Sequence, residues 1–250
     1  MKIGFIGYGH MGRAMGNALK KAGYAVTASA PSLALNDNAA VVKKSDVIFI
    51  AVRPPLVPDV LREIAPHVTD KHTIISIAAG VPMKKFQKFL PRRTKIVRVM
   101  PNLPAQIGEG LLGWISHGLS AVEKKMTQRL LSLFGTAIQV KKEDMINAVT
   151  AVSSSATAYV FAVLESLERA AVSHGFGKKE ARTLALQTLI GSSKYAALQK
   201  EDFGVLKGMV QTKGGTTEAA FKILKKKKWQ WILEKAMTAA YEKALEMGHR

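Results

Sequence analysis

The chain of 250 residues is long enough for one large or two modest domains, and its 48% hydrophobic and 22% charged content is that of an ordinary globular protein. It contains no cysteine, which excludes disulfides, thiolate catalysis and the usual sulfur ligands of structural zinc. The net charge of +19 is spread in short basic runs without interleaved aromatic residues, so we expect a solvated basic surface and no specific nucleic-acid partner.

The first residues, "MKIGFIGYGHMG", begin a strand at once and leave no room for a signal peptide. No uninterrupted apolar run approaches the roughly 20 residues that are needed to cross a bilayer. We therefore expect a cytoplasmic protein without a membrane partner. Its basic surface would attract anionic substrates and cofactors.

Residues 1–143 alternate short apolar runs with helical stretches. Each run has four to eight apolar or β-branched residues, and the segment between the second and third runs has room for one helix. The runs lie at 2–7, 25–29, 46–52, 73–80 and 95–100. Continuous apolar strands joined by crossover helices predict a parallel sheet with both faces covered, an α/β domain of the Rossmann type.

From Asp144 onward the strand pattern stops. Apolar residues recur at intervals of three or four from Met145 to Ala171, which predicts one long helix ending near Gly175 or Gly177. Further helical runs follow at about 178–198, 217–225 and 228–246. Residues 144–250 are thus predicted to form an all-α C-terminal domain. Its apolar faces exceed what one small domain can bury, which predicts at least a dimer.

A glycine motif follows the first strand and opens a helix. Gly7, Gly9 and Gly12 give the spacing Gly-x-Gly-x-x-Gly, in which the first permits a tight turn, the second lets the backbone approach a diphosphate and the third lets helix and strand pack closely. The helix N-terminus adds amide donors and partial positive charge. This context predicts a dinucleotide site, which also includes the intervening residues Tyr8, His10 and Met11.

The second strand bears on the choice of cofactor. An acidic residue about 20 positions beyond the glycines would bind the ribose hydroxyls of NAD, but the next acid is Asp37, well past that strand. Ser29 and Ser32 could donate hydrogen bonds to the 2′-phosphate of NADP. No arginine or lysine stands between them. The pattern favours NADP and leaves NAD open.

Several stretches together resemble the pyrroline-5-carboxylate reductase family. They occur in the family's order: "AVRPP" after the third strand, "SIAAGV" after the fourth, "VRVMPNLPAQIGEG" around the fifth, "DMINAVTAVSSSATAYVFAVLESL" at the start of the helical domain and "VQTKGGTTEAAF" near the C-terminus. The resemblance implies reduction of a cyclic imino acid, 1-pyrroline-5-carboxylate, to L-proline with NAD(P)H. It also implies a Rossmann domain and a helical dimerisation domain, with some members assembling further.

The resemblance also assigns residues to the cofactor site. It adds loops that follow the third, fourth and fifth strands, and it places Asn102 with Pro101 at the nicotinamide end of the cleft. The added residues are Val52, Arg53, Pro54, Ala78, Ala79 and Asn102.

The loop at residues 212–217 is the predicted substrate site. Backbone amides exposed by Gly214 and Gly215 at a helix N-terminus would bind the substrate's carboxylate. By resemblance, the hydroxyl of Thr217 contacts the ring nitrogen and is the predicted catalytic group. Thr212, Lys213 and Thr216 complete the loop. The alternative is structural, because a glycine pair can end one helix and a threonine can cap the next.

Two departures from the family pattern keep other functions open. The family's Ser-Gly-Ser-Gly-Pro-Ala-Tyr stretch corresponds here to residues 153–159, "SSSATAY", and its Ser-Pro before the glycine pair is Thr212-Lys213. One alternative is a reductase-like protein that binds nucleotide in a regulatory role. Another is a reductase of a different cyclic imino acid. The six histidines show no metal-ligand spacing, so no metal site is predicted.

Overall fold

The computed structural model describes residues 1–249. The chain divides into two compact units, and Arg250, the end of the predicted second domain, lies outside the described residues. The first unit comprises Met1–Ser155 and the end of the chain from Ala239, and the second comprises Ala156–Thr238. The predicted boundary at residue 143 lies within the first of these units.

A single sheet organises the first unit. Among the described residues it has seven strands in the order β2-β1-β3-β4-β5-β6-β7. The strands are β1 (Lys2–Ile6), β2 (Ala25–Ser29), β3 (Val47–Ile50), β4 (Thr73–Ser76), β5 (Lys95–Pro101), β6 (Gly110–His117) and β7 (Gly135–Gln139). The first five correspond to the predicted runs and pair in parallel, which confirms the Rossmann-type α/β class.

Strands β6 and β7 were not predicted. β6 returns antiparallel to β5, with Val99 opposite Trp114, and β7 then pairs parallel with β6. A short connection makes this possible, because antiparallel neighbours need no crossover helix. The loop between β5 and β6 contains a 3-10 helix (Leu103–Ile107). Because this loop follows β5, it lies at the carboxyl edge of the parallel strands.

Helices cover both faces of this sheet. They are α1 (His10–Lys21), α2 (Asn38–Lys43), α3 (Val57–Ile64), α4 (Met83–Phe89) and α5 (Ala121–Leu131). Two buried apolar clusters result, one on each side of the sheet. Consecutive residues of β1 show this division, because neighbouring side chains of a strand point to opposite faces: Phe5 lies in the first cluster and Ile6 in the second.

The remaining described elements are helical, as predicted. They are α6 (Met145–Val149), a π-helical turn (Thr150–Ser155), α7 (Ala156–Ser173), α8 (Lys178–Leu198), α9 (Phe203–Val210), α10 (Thr216–Lys226) and α11 (Trp229–His249). The predicted single helix from Met145 therefore contains a change of hydrogen-bonding pattern at residues 150–155.

The helical run Met145–Ser173 is unusual in its exposure. By length and composition alone it could cross a membrane, and it is the one such run found among the described residues. Only 17% of its most apolar window is buried, and α7 has no fully buried residue. The single chain therefore leaves a long apolar helix largely uncovered.

Candidate functional site

The glycine turn has the geometry that a dinucleotide site requires. Gly7 adopts a left-handed φ of +87°, and a Cβ there would lie 2.7 Å from the Ala51 carbonyl oxygen. At Gly12 a Cβ would lie 2.9 Å from the Gly7 carbonyl oxygen, so glycine also permits the close packing of α1 on the turn. A Cβ at Gly9, in contrast, would meet no described atom within 4 Å. The backbone at Gly9 is therefore open to a ligand.

The N-terminus of α1 adds an electrostatic preference for anions. Gly9 is its N-cap, no side chain caps its first amides, and no acidic residue lies in its first turn. Free amides and the helix dipole at this end favour a diphosphate.

A cavity of about 1000 Å³ opens beside this turn. This volume is at the upper end of the range, roughly 300–1000 Å³, that ligand sites occupy. Seven of the predicted cofactor residues line it: Gly7, Tyr8, Gly9, His10, Ser32, Val52 and Arg53. The cavity brings the turns after β1, β2 and β3 together at the carboxyl edge of the sheet, where open α/β sheets bind ligands.

Other predicted residues lie outside this lining. Met11 and Gly12 belong to the first turn of α1 but do not line the cavity. Ser29 is 1% exposed at the end of β2, and its hydroxyl has no hydrogen-bond partner within residues 1–249. The remaining predicted residues that do not line the cavity are Pro54, Ala78, Ala79 and Asn102.

The cavity also contains cations, of which Arg53 was predicted from the sequence and Arg13 and Lys21 were not. Arg13, Asn17 and Lys21 line it from α1, and Arg53 lies on the loop after β3. Among the described residues that line the cavity there is no aspartate or glutamate. The i, i+4, i+8 spacing along α1 could have revealed this stripe, because such residues share one helix face. This charge balance suits a cofactor that carries several phosphates.

Burial affects the ionisation of Tyr8 in this lining. Desolvation raises the pKa of the Tyr8 phenol, and the positive charge of Arg13 partly opposes this. The ring packs edge-on against Phe5 at 5.8 Å and reaches α1 at Gly16. Tyr8 therefore supports the floor of the turn as a neutral side chain.

The loop after β5 fixes Asn102 beside the sheet edge. The Leu111 backbone N–H donates to Asn102 Oδ1 at 2.9 Å, and Asn102 Nδ2 donates to Ser153 Oγ at 3.0 Å. The Ser154 hydroxyl donates to the Pro101 carbonyl at 3.0 Å. Residues 106–108 of the same loop line the cavity, whereas Asn102 itself does not.

The predicted substrate loop lies in the second unit, between α9 and α10. Gly214 is left-handed (φ +77°), and its N–H donates to Glu218 Oε2 at 2.6 Å. The Gly215 N–H donates to the Thr212 carbonyl at 3.1 Å, so both glycine amides that were expected to be exposed already have partners within the loop and the start of α10. Gly215 is also the N-cap of α10, and no side chain caps the first amides of that helix. Thr216 and Thr217 begin the helix, and neither hydroxyl makes a hydrogen bond within the described part of the chain. The structural alternative, in which a threonine caps α10, finds no support here.

Comparison with known proteins accords with both halves of this arrangement. Residues 143–247 match the family model for pyrroline-5-carboxylate reductase dimerisation, and residues 2–80 match that for coenzyme F420-dependent NADP oxidoreductases. A pyrroline-5-carboxylate reductase of Methanosarcina acetivorans is 34% identical, with coverage of 100% of this chain and 98% of the relative. That of Escherichia coli K12 is 36% identical, with coverage of 99% and 98%.

The chain belongs to the pyrroline-5-carboxylate reductase family. Solved structures agree: the Plasmodium falciparum pyrroline carboxylate reductase with NADP bound superimposes with a TM-score of 0.92 at 30% identity, over 99% of this chain and 98% of that one. The expected family, fold class and NADP-dependent oxidoreductase class are thus confirmed. The dimerisation match, which includes the apolar run Met145–Ser173, also indicates a homo-oligomer.

Proposed function

We propose that this protein reduces 1-pyrroline-5-carboxylate to L-proline by hydride transfer from NADPH. The observation that carries the proposal is full-length similarity to reductases of that name, at 34% and 36% identity over both the sheet and the helical parts. The proposal includes a cytoplasmic location and a homodimer.

NADPH is the preferred cofactor because the cavity is basic. Arg13, Lys21 and Arg53 supply positive charge, and Ser32 supplies a hydroxyl beside them. A 2′-phosphate gains from these groups, whereas a ribose hydroxyl has no carboxylate to accept its hydrogen bonds. We therefore expect NADH to be a weaker cofactor than NADPH.

The chain's contribution to the reaction is positioning. Hydride transfer requires the imine carbon about 3–3.5 Å from the reduced nicotinamide, so orientation supplies most of the rate. The glycine turn would hold the diphosphate, Asn102 would lie towards the nicotinamide, and the uncapped N-terminus of α10 at Thr216 and Thr217 would hold the substrate's carboxylate. The hydroxyl of Thr217 would orient the ring nitrogen. With that nitrogen already protonated as the iminium, hydride addition to the C=N carbon gives the neutral amine directly.

A substrate panel tests the proposal. Purified protein is mixed with NADPH or NADH and with cyclic imino acids of five-membered and six-membered rings, and the loss of reduced-cofactor absorbance is followed. We expect turnover of 1-pyrroline-5-carboxylate with NADPH. Turnover of only the larger ring would favour the alternative substrate, and cofactor binding without any turnover would favour the regulatory alternative.

A further inference from the structure

The carboxamide of Asn102 is held in one orientation. A backbone N–H can only donate, so the Leu111 N–H, at 2.9 Å, must face the carboxamide oxygen. The amide nitrogen then faces Ser153, whose oxygen accepts at 3.0 Å. Two groups from different elements therefore determine how this side chain points.

The residue before Asn102 is held from the same turn. Pro101 ends β5, and its carbonyl accepts a hydrogen bond from the Ser154 hydroxyl at 3.0 Å. Both serine contacts are partly buried, where hydrogen bonds are stronger than in water. Two consecutive serines thus bind two consecutive residues of the loop.

Both serines belong to the π-helical turn. In an α-helix, consecutive side chains diverge by about 100°, since a turn has 3.6 residues. Residues 150–155 form a wider π turn, a feature that is often found at functional sites. The end of α6, directly before this turn, packs closely on the sheet, because a Cβ at Gly113 of β6 would be 2.6 Å from a methyl group of Val149.

One of the two serines departs from the family pattern. The family's Ser-Gly-Ser-Gly-Pro stretch corresponds in this chain to Ser153, Ser154, Ser155, Ala156 and Thr157. A glycine at position 154 has no side-chain donor, so the contact with Pro101 comes from the substitution itself. The altered stretch therefore adds a hydrogen bond to the loop rather than removing one.

We propose that Ser153 and Ser154 are positioning residues that hold Pro101 and Asn102 against the reactive end of the cofactor. The second N–H of the Asn102 carboxamide has no hydrogen-bond partner within residues 1–249. It is left to donate to a carbonyl acceptor, such as the nicotinamide's own carboxamide oxygen. This inference rests on the proposed function, because it needs a nicotinamide at this edge of the sheet.

The test compares three alterations in the same turn. Ser153→Ala and Ser154→Ala each remove one contact to the loop, and Ser153→Thr keeps the hydroxyl. Thr150→Val is the matched control, since its hydroxyl donates to the Ile146 carbonyl within its own helix. For each protein we measure the NADPH dissociation constant, kcat, the isotope effect with deuterated NADPH and the emission of bound NADPH.

Loss of positioning would affect chemistry more than binding. We expect Ser153→Ala to lower kcat by about tenfold and to raise the isotope effect, with the dissociation constant within about twofold of wild type. Ser154→Ala should do the same to a smaller extent. Ser153→Thr and Thr150→Val should behave as wild type.

Two results would overturn the inference. One is equal kcat in Ser153→Ala and Thr150→Val; the other is a decrease that follows the melting temperature alone. Failure of the proposed function is a separate outcome, because wild type would then turn over no 1-pyrroline-5-carboxylate. The emission of bound NADPH still decides that case: an altered spectrum in Ser153→Ala supports the positioning role, and an unchanged one contradicts it.

Discussion

At the scale of single residues, the two predicted ligand loops differ in how much a sequence can reveal. Gly7 and Gly12 are needed for backbone geometry and close packing, and Gly9 leaves the backbone open to a ligand, so their spacing predicts the turn. Arg13 and Lys21 carry no such motif, because many exposed helix faces have cations at this spacing. The sequence could not show which serine can reach a cofactor either. Only the fold shows that the side chain of Ser29 is buried while Ser32 lines the cavity.

Thr217→Ala tests the substrate loop. We expect kcat/KM for the imino acid to fall by about tenfold or more, since one positioning hydrogen bond is lost. Thr217→Ser keeps the hydroxyl and should stay near wild type, as should Thr188→Ala, whose hydroxyl only bonds its own helix. Steady-state kinetics measure kcat/KM for each variant, and calorimetry measures its affinity for NADPH. A normal rate in a protein that melts lower would instead assign Thr217 to helix stability.

Ser32→Asp tests the cofactor preference. A carboxylate in the lining would repel the 2′-phosphate, so we expect KM for NADPH to rise by at least about tenfold and KM for NADH to change little. Asn36→Asp is the charge-matched control, because Asn36 follows the same strand but does not line the cavity. Equal effects of both substitutions on NADPH would show that only overall charge matters.

At the scale of elements, periodicity predicted which segments are helical but not how their hydrogen bonds run. Val149 and Val152 keep a three-residue interval through the π turn, so the apolar pattern looks like one helix. Strand β6 was missed for a related reason. Its run follows a short loop and pairs antiparallel, whereas the repeat of strand and crossover helix indicated only parallel strands.

The start of α5 gives a pH-dependent prediction. The Lys95 ammonium, 2.7 Å away, and the capping contacts of Ser120 lower the pKa of Glu123 from 4.5 to about 2. A lowered folded-state pKa stabilises the protein above about pH 4.5, and this contribution is lost as the pH falls towards 2. Glu123→Gln should therefore cost about 1 kcal/mol at neutral pH and progressively less in acid.

Urea unfolding of wild type and Glu123→Gln across this pH range measures that difference. Glu109→Gln serves as the control, because Glu109 has no ion pair among the described residues. A stability difference that stays constant down to the acid limit would contradict the role assigned to the Glu123 carboxylate.

At the scale of the whole molecule, the two-part organisation was predictable but its division was not. Strands give way to helices near Asp144, as the sequence indicated. Yet the first unit continues to Ser155 and regains the chain from Ala239. Ala244 is buried there, and Met247 lies against Gly80, so close that a Cβ on Gly80 would be 2.8 Å away. Such a return of the chain depends on long-range packing, which periodicity does not encode.

The exposed apolar helices predict association. Val160, Phe161 and Val163 of α7 are about half exposed in the single chain. Burial of such a face against a second copy is favourable at roughly 25 cal/mol per Å². Light scattering at micromolar concentration should therefore give a mass of twice the 27.1 kDa chain or a higher multiple. Phe161→Glu should shift the protein towards the monomer, and Val122→Glu, on α5, should not.

Isotope transfer is the most direct test of hydride transfer from NADPH to a five-membered cyclic imine. The protein is incubated with 1-pyrroline-5-carboxylate and NADPH that carries deuterium at the transferable position, and the product is analysed by mass spectrometry. We expect L-proline with one deuterium on the former imine carbon, formed in step with NADP. Oxidation of NADPH without labelled proline, or no proline at all, would contradict it.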